Sequence, residues 1–138
     1  MRISRAQVYF VDLGPVRGCE MDFRHPVVVV SINYINHNPF LIVTVPGIEQ
    51  DQQEATVEKG LVVTVVPGTS LKPGKRIYPH EVRVEPSSKN GLAKPTVFKC
   101  TQIKALDYRR FDTNPCGELS ATDLLQIEEA LRRCLSLI

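Results

Sequence analysis

QVYFVDLGPVRGCEMDFRHPVVVVS, residues 7–31, is the stretch from which the fold is read. Its first six residues, Gln7–Asp12, are β-prone, with Val8 and Phe10 on one face of a strand. Gly14-Pro15 and Gly18 then break the chain. Val27–Ser31 follows as a short apolar run bounded by polar residues, which predicts a strand buried on both faces. Leu41–Val45 and Leu61–Val66 read the same way. Glu81–Glu85 (EVRVE) alternates strictly and is expected to be half-buried. Val97–Cys100 and Ile103–Leu106 complete the strands. LIVTVPGI (41–48) and LVVTVVPGT (61–69) resemble each other, which reads as a local duplication or as one long hairpin across a polar, acidic linker. The chain closes with one helix. Ser120 is its N-cap, with Asp123 three residues later. Leu124, Ile127, Leu131, Cys134, Leu135 and Ile138 form an apolar stripe expected to pack on the sheet, or to serve a dimer interface. Glu128/Arg132 and Glu129/Arg133 are i,i+4 pairs on its wet face. Short strands with a single helix exclude parallel βαβ units. The expected class is α+β, mostly β: a curled antiparallel sheet or small barrel.

The 138 residues suit one domain. Hydrophobic residues at 43% and charged residues at 23% are those of an ordinary globular protein, so the core needs no staples. No apolar run approaches the roughly 20 residues that span a bilayer, and MRISRAQVYFVD lacks the features of a signal peptide, so a cytoplasmic location and no membrane partner are expected. Cys19, Cys100, Cys116 and Cys134 include no Cys-x-x-Cys pair, and His25, His37 and His80 show no ligand spacing. Reduced thiols and no metal or other cofactor are therefore expected. The net charge of +2 is unevenly spread. From Thr69 to Lys104 eight Lys or Arg residues face only Glu81 and Glu85, whereas Glu49–Glu58 holds four acids and no base. A basic segment of this kind suits a phosphate backbone, or it is a solvated face.

No P-loop, nucleophile elbow, HExxH or EF-hand pattern occurs. One constellation remains. The first loop carries Arg17, Glu20, Asp22, Arg24 and His25, and its glycines leave backbone N–H groups free. PGTS (67–70) reads as a turn, with two hydroxyls and with Lys72, Lys75 and Arg76 close behind. Such a turn suits a phosphate, or is a plain hairpin turn.

VDLGPVRGCE–RHPVVVVS, then VVPGTS, then GLAKPTVFKCTQIKALDYRRF, then a terminal helix with ALRRCL, resemble in order and spacing the MazF/PemK family of toxin endoribonucleases. The resemblance runs from about Arg5 to Leu135. It is interrupted where this chain is longer, and this points to a single toxin domain over 1–138 with an insertion around 39–60. It implies the SH3-like antiparallel β-barrel with a C-terminal α-helix that CcdB, MazF and PemK share, usually as a homodimer. It also implies metal-independent, sequence-selective cutting of single-stranded RNA by 2′-hydroxyl attack, leaving a 2′,3′-cyclic phosphate. A cognate antitoxin is the implied protein partner, with operator DNA reached only through the antitoxin complex.

Metal-free cleavage needs a proton acceptor for the 2′-hydroxyl, a donor for the leaving 5′-oxygen, and cations or N–H groups for the phosphate. The family uses an arginine just before the first-loop proline and a threonine of the T-S turn. The threonine corresponds to Thr69, with Ser70 beside it. The arginine has no direct counterpart: His25 precedes Pro26, and Arg24 stands one place earlier. His25 as base or acid, with an unperturbed pKa near ~6.5, Arg24 as phosphate stabiliser, and an impaired site all remain open. In an extended segment the two neighbours point to opposite faces, and Arg24 cannot simply replace His25. A second family arrangement falls on Cys19, Lys99 and Thr101, where only Lys99 keeps a charge. The candidate catalytic residues are thus His25, Arg24 and Thr69. Arg17, Glu20, Ser70, Lys72, Lys75, Arg76 and Lys99 are the candidates for holding RNA. The acids of the insertion (Glu49, Asp51, Glu54, Glu58) would repel RNA and are expected outside the groove. The competing functions are a non-enzymatic toxin that binds a protein target such as DNA gyrase, and an impaired relic that only binds its antitoxin.

Overall fold

Among the described residues, nine strands and two α-helices follow in the order β1 (Gln7–Asp12), β2 (Arg24–Val29), α1 (Asn33–Asn36), β3 (Phe40–Val45), β4 (Ala55–Gly60), β5 (Val62–Ser70), β6 (Glu81–Val84), β7 (Thr96–Lys99), β8 (Lys104–Asp107), β9 (Gly117–Glu118) and α2 (Ala121–Leu135). The computed structural model describes residues 3–14, 18, 24–37, 40–45, 55–60 and 62–137, and the backbone alone for 40–45 and 55–60. Arg17, Cys19, Glu20, Asp22, Glu49, Asp51, Glu54 and Ile138 lie outside the described residues. The main sheet runs β6-β7-β5-β2-β1-β9, with β8 also on β5. Every pairing in it is antiparallel.

β5 is the spine. Its first half pairs with β8 (Val62↔Asp107 to Val65↔Lys104) and its end with β7 (Gly68↔Phe98 to Ser70↔Thr96). The 3-10 turn Cys100–Gln102 separates β7 from β8. Along its middle, β5 also pairs with β2 (Val27↔Pro67, Val28↔Val66, Val29↔Val65). The expected turn at 67–70 is therefore a correction: PGTS is the end of a nine-residue strand. Pro67 has no N–H to give, and it falls where the β2 ladder ends. Gly68 sits where the strand changes partner. A Cβ there would stand 2.8 Å from Thr96 Cγ2 and 2.9 Å from Phe98 Cδ1.

The long-hairpin reading also needs correction. β3 pairs with β4 over six residue pairs, from Phe40↔Gly60 to Val45↔Ala55, and the two make a separate two-stranded sheet. The polar linker thus contains a strand, and 62–66 belongs to the main sheet instead.

The sheet curls around one core and supports another on its outer face. Val8, Val28, Val66, Val82, Val84 and Phe98 pack with Ile127 and Ala130 of α2. Tyr9, Val11, Val27, Val29, Val65 and Leu106 pack with Phe111 on the other face. β1 and β2 are hence buried on both sides, and Val27 to Val29 are fully buried. Phe10, which alternates with the buried Val8, is 39% exposed because it lies at the rim of the first core. α2 starts as expected, with the Asp123 N–H donating to Ser120 Oγ at 3.1 Å. Its buried residues are Ile127 and Ala130, while Leu135 is half-exposed. Arg132 reaches Glu128 at 3.8 Å, but Arg133 donates instead to the Pro79 carbonyl at 3.0 Å.

Candidate active site

His25 and Pro26 lie in β2, opposite Val11 and Phe10 of β1. The ladder between β2 and β5 ends at Val27↔Pro67. Two residues further along the same register, His25 falls opposite Thr69. The two therefore share a face of the sheet, and Arg24 and Ser70 share the other. His25 Nδ1 lies 3.2 Å from the Gly68 carbonyl oxygen. A carbonyl can only accept, so Nδ1 is the donor here, an arrangement that leaves Nε2 as the acceptor of a neutral imidazole. His25 is half-buried, and so is Thr69.

The same face continues across the sheet. Thr69 pairs with Val97, and Val97 with Arg83. One row thus runs His25, Thr69, Val97, Arg83. The next row on that face holds Lys99 opposite Glu81. Arg83 is exposed and its Nε donates to Glu85 Oε1 at 2.6 Å. Sequence reading did not single out Arg83. Its outward phase was legible in EVRVE, but the register that aligns it with Thr69 was not.

The basic segment after β5 is held by one carboxylate. Glu81 is 8% exposed, and its Oε1 accepts from Lys75 Nζ at 2.9 Å and from the Tyr78 N–H at 3.0 Å. Burial by itself would raise the Glu81 pKa, but these two donors, with the charges of Lys75 and His80, bring it below the ordinary glutamate value. Lys75 is thereby committed to an internal ion pair. Lys72 and Arg76 are exposed, with Arg76 Cζ 5.6 Å from the Tyr78 ring centroid. Tyr78 in turn stacks on His80 at 5.7 Å.

Arg24 is otherwise engaged. Its Nη2 donates to the Phe10 carbonyl at 2.9 Å and to Asp112 Oδ1 at 3.2 Å. Of the remaining candidates, Ser70 is exposed at the end of β5 and Thr101 is exposed in the turn after β7, while Arg17, Cys19 and Glu20 fall outside the described residues. The structure brings His25, Thr69, Lys99 and Arg83 to one face and puts Arg24 and Ser70 on the other.

The chain is 31% identical over 137 residues to Endoribonuclease MazF9 of Mycobacterium tuberculosis, covering 98% of each protein. It is 26% identical to Endoribonuclease MazF2 of Mycobacterium bovis over 99% of this chain and all of that one. The crystal structure of MazF from Deinococcus radiodurans superposes with a TM-score of 0.67, at 20% identity, over 99% of this chain and 98% of that one. A mycobacterial endoribonuclease solved in complex with its cognate antitoxin superposes with a TM-score of 0.66, at 22% identity, over 99% and 97%. The fold is the one these proteins share: a mostly-β, curled antiparallel sheet with a C-terminal helix. The family described as PemK-like, MazF-like toxin of type II toxin–antitoxin systems matches residues 4–59 and 52–135, and the chain belongs to that family.

Proposed function

We propose that this toxin is a metal-independent, sequence-selective endoribonuclease that cuts single-stranded RNA, mRNA included, in the cytoplasm and so inhibits translation. The observation that carries the reading is the placement of His25 and Thr69 on one face, with His25 Nδ1 3.2 Å from the Gly68 carbonyl oxygen. The endoribonuclease names of the relatives support the same reaction. His25 Nε2 accepts the proton of the substrate 2′-hydroxyl. The resulting alkoxide attacks the adjacent phosphorus, and the bond to the leaving 5′-oxygen breaks. The leaving 5′-oxygen takes a proton from solvent water, and the products are a 2′,3′-cyclic phosphate and a 5′-hydroxyl. The Thr69 hydroxyl donates to a phosphoryl oxygen, and the Lys99 and Arg83 charges on that face oppose the negative charge that builds there. Lys72 and Arg76 hold the flanking backbone. Arg24, bound to Phe10 and Asp112, is assigned to bracing β1 against β2.

We further take the chain as one toxin domain with the β3–β4 hairpin as an insertion, acting as a homodimer. Leu125, Leu135 and Leu137 of the C-terminal region, 50%, 49% and 59% exposed, support self-association. The antitoxin-bound structure of a mycobacterial relative supports an antitoxin as partner, with operator DNA reached only through that complex. The test is incubation of the purified protein with single-stranded RNA in EDTA. Cuts ending in 2′,3′-cyclic phosphate are expected from the wild type. His25→Ala and Thr69→Ala should each lose about 10²–10⁴-fold in rate, while Arg24→Ala keeps most of it. Full activity in His25→Ala would remove it from the site. Growth arrest by the wild type without cleavage of any RNA sequence would move the reading to a protein target.

A further inference from the structure

A slot of about 240 Å³ opens on the reverse side of the strand ends that carry His25 and Thr69. Phe10, Pro26, Leu92 and Ala93 form its walls, and Ser70 and Lys94 stand at its rim. Its position follows from the register. Phe10 pairs with Pro26, the neighbour of His25, and Ser70 is the neighbour of Thr69. On the face that Phe10 shares with Val8 and Val28, both valines are fully buried, yet the Phe10 ring is 39% exposed. That exposure leaves an aromatic surface open at the mouth of the core. The far wall is rigid: Leu92 is 6% exposed, and the buried Thr96 hydroxyl donates to the Lys94 carbonyl at 3.0 Å.

We infer that this slot takes one nucleobase of the substrate, next to the cleaved bond, and that Phe10 is its stacking residue. The inference rests on the RNA-cleaving reading above. An apolar slot with an aromatic wall and a few polar groups at its edge matches the flat faces and polar rim of an unstacked base. The Ser70 hydroxyl both donates and accepts, and the Lys94 ammonium only donates, so the rim has groups to read a base edge. The positive charge of Lys94 also suits a ligand carried on a phosphodiester and disfavours a cationic side chain. The slot is continuous with the candidate site, because each of β2 and β5 contributes consecutive residues to the two. A strand whose scissile phosphate lies over His25 and Thr69 passes the ends of β2 and β5 and turns the adjoining base inward.

The test walks a single abasic nucleotide through an RNA that the wild type cuts. At one position flanking the cut, the missing base should lower wild-type kcat/KM by about 5- to 150-fold, the range of one base–aromatic stack. Phe10→Ala should remove that penalty at that position only. Ala93→Phe fills the slot from an exposed position and should do the same, so the experiment stands even if Phe10→Ala fails to fold. Equal penalties in wild type and Ala93→Phe at every position would overturn the slot while leaving RNA cleavage intact. Absence of cleavage by the wild type would overturn the parent reading and this inference together. Loss of antitoxin binding in Ala93→Phe, with the abasic profile unchanged, would make the slot a protein-binding feature and overturn its assignment to a base.

Discussion

At position 81 one carboxylate ties the basic loop to the sheet. Glu81 takes the Lys75 ammonium and the Tyr78 N–H on the same oxygen, and its own N–H donates to the Tyr78 carbonyl at 2.9 Å. Removing the charge leaves the Lys75 ammonium unbalanced beside a buried amide. Glu81→Gln is expected to lower stability by about 1–3 kcal/mol. Because the folded pKa of Glu81 is lowered, its contribution is fully present above the unfolded value of 4.5 and is lost as pH falls through the folded one. Denaturation midpoints of wild type and Glu81→Gln should therefore differ at neutral pH and converge in acid. A difference constant with pH would refute the assignment. Cys100 is a contrasting residue. Burial first, and Cys134 second, push its thiol up to about 12. It packs under α2, with Sγ 3.9 Å from the Ile127 carbonyl. A thiol held protonated in this way is inert. Cys100 should resist iodoacetamide in the native protein and react only on unfolding, as peptide mass mapping would show.

β5 is the element on which the rest depends, and Gly68 is its critical position. A methyl there would press on Thr96 and Phe98 at under 3 Å, within the junction where β5 leaves β2 for β7. Gly68→Ala should cost roughly 1–3 kcal/mol of stability. It should also lower RNA cleavage more than the stability loss explains, because it displaces the carbonyl that orients His25. Unchanged melting and unchanged rate would show that the junction is slack. This element also shows where sequence reading succeeds and where it stops. Gln7–Asp12 was legible from its β-prone residues, and Val27–Val29 because a strand buried on both faces must be an apolar run. Pro67-Gly68 misled because those residues normally end strands, and nothing local reveals that Pro67 stands where a ladder stops and Gly68 where two side chains crowd in. β4 was missed because its partner is β3 in a separate sheet, so its residues need no apolar run. Within the candidate site, Thr69 was visible in the TS pair. That His25 rather than Arg24 faces it depends on β2 being extended already at Arg24. Arg83 and Phe10 join the site through register and rim position, which are properties of pairing rather than of either segment alone.

Over the whole molecule, the distribution of charge matters more than its net value of +2. The cations after β5 fall into two kinds. Lys75 is neutralised by Glu81 and half-buried, so it has little field left to offer a phosphate. Lys72 and Arg76 are exposed, and Arg83 lies two strands from Thr69 in the same row, ion-paired with the exposed Glu85. If single-stranded RNA crosses this face, each cation that meets a phosphate releases counterions, and log K falls with log salt by about 0.7 per contact. Lys72→Ala, Arg76→Ala and Arg83→Ala should then each flatten the salt dependence of RNA binding by about 0.7 while leaving the melting temperature nearly unchanged. Lys75→Ala should do the opposite: it leaves the slope close to wild type and lowers stability, since it strands a buried carboxylate. Fluorescence anisotropy of an RNA whose 2′-hydroxyl is removed at the cut position gives the slopes without cleavage. The two classes are distinguishable because one cation is bound to a buried carboxylate and the others are exposed to a ligand. If Lys75→Ala flattened the slope as much as Arg83→Ala did, the Lys75–Glu81 pair would have to open on binding, and Glu81 would not tie the loop to the sheet in the complex. If none of the four changed the slope, RNA would cross a different face of the sheet, and His25 and Thr69 would lose their substrate.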